Sequence, residues 1–129
     1  MAFIAPAGTR LRVRDLVRGW SRALAAEGAT AALTSSICAA AGVKHVWPMS
    51  SGRAAMTVAL RAMRSVCPDP ERDEVVVPAY TCYSVPASVQ RAGLRPRLCD
   101  VDPATLAMCP DALSRLDYSR VLAVVSSNL

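Results

Sequence analysis

The chain has 129 residues, 53% of them hydrophobic and 19% charged, a balance that belongs to globular proteins and excludes intrinsic disorder. Its formal charge of +5 is unevenly held: nine basic residues face Asp15 and Glu27 up to residue 66, and beyond it six face eight acidic ones. Five widely spaced cysteines with one histidine, His45, supply no metal shell, and no apolar run has the length of a membrane span or a secretory leader, so the reading is a reduced, cytoplasmic protein with no metal site.

Residues 1–43 read as a helical segment. Val13, Leu16, Val17, Trp20 and Leu24 recur at helical spacing, while Arg10, Arg14, Arg18 and Arg22 form an i, i+4 row on another face, which predicts a basic amphipathic helix ending near Gly28. Thr34-Ser35-Ser36 ahead of Ile37, Ala40 and Ala41 predicts the cap and body of a second short helix, closed by Gly42.

Residues 44–129 alternate. The run His45-Val46-Trp47, broken by Pro48, reads as a short strand, and residues 52–65 as a helix with Ala55, Met56, Ala59, Leu60 and Met63 on one face. Asp69-Pro70-Glu71-Arg72-Asp73 is expected to be a solvated loop. Glu74-Val-Val-Val-Pro78 is a β-branched strand, Ser84 to Ala92 a helix stopped by Gly93, and Arg97 to Val101 a strand. Cys109-Pro110-Asp111 opens a helix with Pro at its first position, and Arg120 to Val125 is a last apolar strand that no later helix covers. The pattern is α/β: N-terminal helices, then β-α-β-α-β-α-β with a mostly parallel sheet.

Two strand ends carry chemistry. At Trp47-Pro-Met-Ser-Ser51-Gly52-Arg53-Ala-Ala55 the chain turns directly into a helix, where unpaired amides, the helix dipole and the side chains of Ser51 and Arg53 suit a phosphate. Ser51 acting only as a helix cap, with Gly52 shaping the turn, is the alternative. At Pro78-Ala79-Tyr80-Thr81-Cys82-Tyr83-Ser84 a second strand ends, and in an open α/β sheet ligands gather at such carboxyl ends. Half-exposed tyrosines at a strand end are the plainer reading there.

In order and spacing, Ser-Ser-Gly-Arg-Ala-Ala, then Asp-Glu-Val-Val-Val-Pro-Ala-Tyr-Thr-Cys, then Gly-Leu-Arg-Pro-Arg-Leu-Cys-Asp-Val-Asp-Pro-Ala-Thr-Leu resemble the N-terminal part of the DegT/DnrJ/StrS sugar aminotransferases, fold type I enzymes that use pyridoxal 5'-phosphate (PLP). The resemblance runs from about Arg10 to the final Ser-Ser-Asn-Leu. It implies an incomplete PLP-dependent transferase large domain over 44–129, with the cofactor phosphate on Gly52 and Arg53 beside Ser51. It also implies that Tyr80, Thr81, Cys82 and Tyr83 lie near the ring. Where the family stacks an aromatic residue on the pyridine this chain has Cys82, which leaves Tyr80 or Tyr83 as substitutes. Many members have Thr at the position of Arg53, whose guanidinium also pairs with phosphate. Asp100 and Asp102 match an Asp-x-Asp read as turn chemistry capping a strand.

For a complete enzyme the resemblance implies amino transfer, typically from glutamate, to a keto group of a nucleotide-linked sugar, in a homodimer. The family's cofactor-bearing lysine lies further along than these motifs, and Lys44 is the only lysine of this chain. Catalysis by this chain alone is therefore not expected, and no catalytic residue is assigned. The alternative is a non-catalytic remnant or interaction module that associates through its basic helix and uncovered last strand. The arginine row has no interleaved aromatics and reads as a solvated face rather than as a nucleic-acid or membrane surface. Neither the P-loop nor the dinucleotide glycine spacing occurs.

Overall fold

The computed structural model describes residues 12–23 and 28–126, with the backbone alone at 15 and 21–23. Two compact units divide between Pro48 and Met49.

The first unit holds α1 (Val13–Ala23) and α2 (Ala29–Ala41). Val13, Leu16, Val17 and Trp20 are all more than half exposed on α1, while Arg10 and Leu24 lie outside the described residues. The second helix begins earlier than Thr34-Ser35-Ser36 suggests: Gly28, at φ 99°, is its N-cap, and Gly42, at φ 65°, ends it. The hydroxyls expected to cap it bond backward along the helix instead, Thr34 to the carbonyl of Thr30 at 2.8 Å and Ser36 to that of Ala32 at 2.9 Å. Residues 45–47 are not a strand. They have no ladder partner among the described residues, and the His45 and Trp47 rings stack on each other at 5.6 Å.

The second unit is built on α3 (Gly52–Val66), β1 (Glu74–Pro78), α4 (Ser84–Arg91), β2 (Arg95–Cys99), α5 (Pro110–Ser114) and β3 (Val121–Val124). Its sheet is parallel in the order β2-β1-β3. The expected alternation thus holds from β1 onward, with three strands rather than four. Three consecutive valines make β1 the central strand: Val75, Val76 and Val77 are fully buried because helices cover both faces. Val75 and Val77 meet Leu60 of α3 and Val89 of α4, whereas Val76 meets Cys99 and Val121, against which Leu113 and Leu116 pack.

An irregularity between Glu74 and Val75 shifts β3 by one residue, pairing Glu74 with Val121 but Val75 with Ala123. Such a slip exchanges faces, so Val121 packs toward α5 and Ala123 toward α3 and α4. The last strand is therefore covered in part on both faces, and Val124 stays half exposed. At the other edge, Pro96 in β2 is a residue tolerated in edge strands.

The segment read as a solvated loop anchors the sheet. Asp73 binds the guanidinium of Arg120 at 3.0 Å and that of Arg95 at 3.1 Å, while Glu74 receives Arg95 and Arg97, each at 3.2 Å. Arg72 donates to the carbonyl of Val121 at 2.8 Å. These pairs tie together the starts of all three strands.

Candidate functional site

Ser51 is in extended conformation, and its Oγ accepts the amide of Ala54 at 3.2 Å. The first helical bond of α3 runs from the Ala55 amide to the Ser51 carbonyl at 3.0 Å, which leaves the amides of Gly52 and Arg53 ahead of the hydrogen-bonded ladder. A Cβ on Gly52 would meet nothing within 4 Å, so the backbone there is open to close approach.

After β1 the chain leaves the sheet through Ala79, whose amide binds the Cys99 carbonyl at 2.8 Å, and turns into α4 with the Val85 amide on the Cys82 carbonyl at 2.9 Å. Cys82 is exposed, and its Sγ accepts the Ser84 hydroxyl at 3.1 Å. That hydrogen bond, with a second from the Ser84 backbone and the charge of Arg53, holds the thiol below its ordinary pKa.

The two helices are joined by Thr57, buried, whose Oγ1 donates to the Ser88 carbonyl at 3.3 Å, and by Arg61, which donates to the Arg91 carbonyl at 2.8 Å. Between their first turns lies a cleft of about 470 Å³, lined by Ser51, Gly52, Arg53, Cys82 and Tyr83 together with Ser84 and Met56. Five of the seven residues expected at the site thus share one cleft. Tyr80 and Thr81 do not line it, and Tyr80 is 61% exposed. Of the two tyrosines offered in place of the missing aromatic, Tyr83 is the one at the cleft. Ser84 is the residue that sequence reasoning missed, since its role is a hydrogen bond to the thiol of Cys82 that only the turn into α4 creates.

These residues suit a phosphate group: two amides precede the helical ladder, a guanidinium stands beside them, and no carboxylate is among the lining residues. No group of three or more His, Cys, Asp or Glu side chains able to hold a metal occurs among the described residues. No helix there is long and apolar enough to cross a membrane. Asp102 performs the turn chemistry expected of it, its Oδ1 accepting the Ala104 amide at 2.7 Å and the Thr105 amide at 3.3 Å.

Residues 16–129 match the model of the DegT/DnrJ/EryC1/StrS aminotransferase family. Over 88 residues, 68% of this chain, it is 35% identical to an L-glutamine:2-deoxy-scyllo-inosose aminotransferase of Streptomyces lividus. Over 96% of this chain it is 29% identical to a protein of Streptoalloteichus tenebrarius described as a putative L-glutamine:3-amino-2,3-dideoxy-scyllo-inosose aminotransferase. These stretches cover 20% and 31% of the two relatives. Among solved structures, PseC of Helicobacter pylori, an aminotransferase involved in the biosynthesis of pseudoaminic acid, shares the fold with a TM-score of 0.61 at 22% identity, over 72% of this chain and 24% of that one.

Proposed function

The chain belongs to the DegT/DnrJ/EryC1/StrS aminotransferase family, and from that premise we propose that residues 44–129 are the first part of a PLP-binding large domain, preceded by a helical segment over 1–43. The family's aminotransferases are in general PLP-dependent and dimeric. When bound, the cofactor supplies the electron sink for moving an amino group from an amino acid to a keto group. Ser51, Gly52 and Arg53 hold its phosphate, and Cys82 and Tyr83 border its ring. The observation that carries this reading is the shared cleft, which joins the start of α3 to the start of α4 across 31 intervening residues.

In the whole protein the amino acceptor is a keto sugar or a related keto polyol. The names of the relatives, with L-glutamine as donor and an inosose as acceptor, support that class. A homodimer in the cytoplasm, acting on a nucleotide-linked sugar with glutamate or glutamine as donor, is the fuller form of the proposal. Lys44, the one lysine of this chain, is assigned no part in it, and the 129 residues by themselves place the cofactor without completing the reaction. A second reading, an association module, is favoured by the exposed apolar row of α1.

Calorimetric titration of the chain with pyridoxamine 5'-phosphate, which forms no adduct with Lys44, tests the cofactor site. Binding that weakens when the phosphate is removed from the ligand, and again in Arg53→Gln, is expected. Equal affinity for pyridoxamine and its phosphate, or no binding of either, overturns the proposal and leaves the association module.

A further inference from the structure

Two polar side chains alone are buried among the described residues, Thr57 at 6% and Ser88 at 3% exposure. They meet where α3 and α4 touch, and the core that these helices share with β1 is otherwise apolar, built on Leu60, Val75, Val77 and Val89. A buried hydroxyl costs stability unless it is hydrogen-bonded, and both of these are. Thr57 Oγ1 donates to the Ser88 carbonyl at 3.3 Å, and Ser88 Oγ to the Ser84 carbonyl at 2.7 Å. Ser84 Oγ in turn donates to Cys82 Sγ at 3.1 Å, so three hydroxyls lead from the interior of α3 to the exposed thiol at the cleft.

Position gives the pair its role. Arg61, one turn beyond Thr57, donates to the Arg91 carbonyl, so α3 and α4 run side by side in the same direction. One turn before Thr57 stands Arg53, one turn before Ser88 stands Ser84, and these four residues line one polar cleft of about 350 Å³. Apolar packing has no direction and lets helices slide, whereas a hydrogen bond fixes a distance and an angle. Of the two hydrogen bonds between the helices, that of Thr57 is the nearer to their first turns. The Ser88 carbonyl also holds the Ala92 amide at 3.1 Å, so it does not depend on Thr57 for a partner, and what the threonine hydroxyl adds is alignment.

We infer that Thr57 is a positioning residue for the cleft, its hydroxyl holding the first turn of α3, with Arg53, in register with the turn into α4 that carries Cys82 and Tyr83. For cofactor binding this rests on the reading of the cleft given above; for the placement of Arg53 relative to Cys82 it rests on the hydrogen bonds alone.

Thr57→Val keeps the shape of the side chain and deletes its hydroxyl, and Thr57→Ser restores the hydroxyl on a smaller side chain. Thr57→Ala, which differs from Thr57→Ser by the hydroxyl alone, repeats the comparison, and circular dichroism checks that each variant folds. Titration with pyridoxamine 5'-phosphate reads the cleft as a whole. The pH midpoint of Cys82 alkylation reads the alignment without a ligand, because that thiol is held below its ordinary pKa by the Ser84 hydroxyl first, by the Ser84 backbone, and then by the charge of Arg53. In Thr57→Val and Thr57→Ala the affinity should fall by about fivefold, the worth of one neutral hydrogen bond, and the midpoint should rise as Arg53 moves away from the thiol. Thr57→Ser should return both toward wild type. Ser65→Ala, which removes an exposed hydroxyl bonded within α3 to the Ala62 carbonyl, should change neither. A wild-type midpoint in Thr57→Val, a rise that Thr57→Ser does not reverse, or an unchanged affinity where the wild type binds overturns the positioning role. A midpoint that rises and is rescued in a chain with no affinity for pyridoxamine 5'-phosphate upholds that role and overturns the cofactor reading alone.

Discussion

Arg120 grips the carboxylate of Asp73 through two nitrogens, Nη2 at 3.0 and 3.1 Å and Nε at 3.2 Å, across 47 residues of sequence. The pair joins the residue before β1 to the residue before β3, and Arg95 adds the start of β2 to the same carboxylate. Desolvation pushes the Asp73 pKa up, but the hydrogen bonds and charges of Arg120 and Arg95 outweigh it and leave the group below its ordinary value of 3.8. A carboxylate whose pKa is lower in the fold adds stability above its unfolded pKa and loses it as the pH falls through the folded one. Urea midpoints of the wild type should therefore fall on acidification through the carboxylate range, and the fall should be shallower in Asp73→Asn. Parallel pH curves for the two proteins would refute the assignment.

Core energetics give a sharper contrast. Leu60 is 3% exposed and packs α3 against Val75, Val77 and Val89, whereas Leu98 on β2 is 63% exposed. Leu60→Ala should lower unfolding stability by about 2–5 kcal/mol, the range for emptying a well-packed leucine site. Leu98→Ala should stay within about 0.5 kcal/mol of wild type. Denaturant titration of both variants checks the pair.

The contrast also shows what a sequence displays and what it hides. Three adjacent valines between a charged loop and a proline announce a strand, and β1 is where they predict it, while its central, buried place comes from the pairing with β2 and β3 on either side. For β2 the expected start at Arg97 is two residues late, because Arg95 and Arg97 look like loop charges until Asp73 and Glu74 are seen beside them. Residues 45–47 have strand composition but no partner strand among the described residues, and composition carries no record of pairing. At the cleft, Ser51, Gly52 and Arg53 are legible because the chemistry of a helix start is local, and Cys82 and Tyr83 because they follow the end of β1. That Tyr83 rather than Tyr80 lines the cleft is not legible, since it depends on how α3 and α4 lie together.

Cysteine reactivity should separate the five thiols. Cys82 is exposed and its thiol is held below its ordinary pKa, first by the Ser84 hydroxyl and then by the Ser84 backbone and Arg53. Cys99 is buried, and burial raises its pKa, with Asp100 adding to the effect. Because the thiolate is the nucleophile, alkylation by iodoacetamide near neutral pH should modify Cys82 ahead of Cys99, which should react only on unfolding. Ser84→Ala should move the pH midpoint of Cys82 alkylation upward. Peptide mass spectrometry across a pH series reads both, and a midpoint unmoved by Ser84→Ala would remove the hydrogen bond from the account.

Ser51 is the residue at which a structural and a binding role can be told apart. Its Oγ caps α3 through the Ala54 amide, so Ser51→Ala should cost about 1 kcal/mol of stability, the usual effect of losing a serine cap. Asp is as good a cap as Ser, and its charge suits the start of a helix. Ser51→Asp should therefore unfold at a denaturant concentration close to that of the wild type. The same carboxylate would stand beside Gly52 and Arg53 at the mouth of the cleft, repelling a phosphate and pairing with the guanidinium meant for it. Pyridoxamine 5'-phosphate affinity should then fall sharply in Ser51→Asp and only modestly in Ser51→Ala, the reverse of their order in stability. If both properties follow the same order, Ser51 is a cap and nothing more, and the phosphate belongs elsewhere.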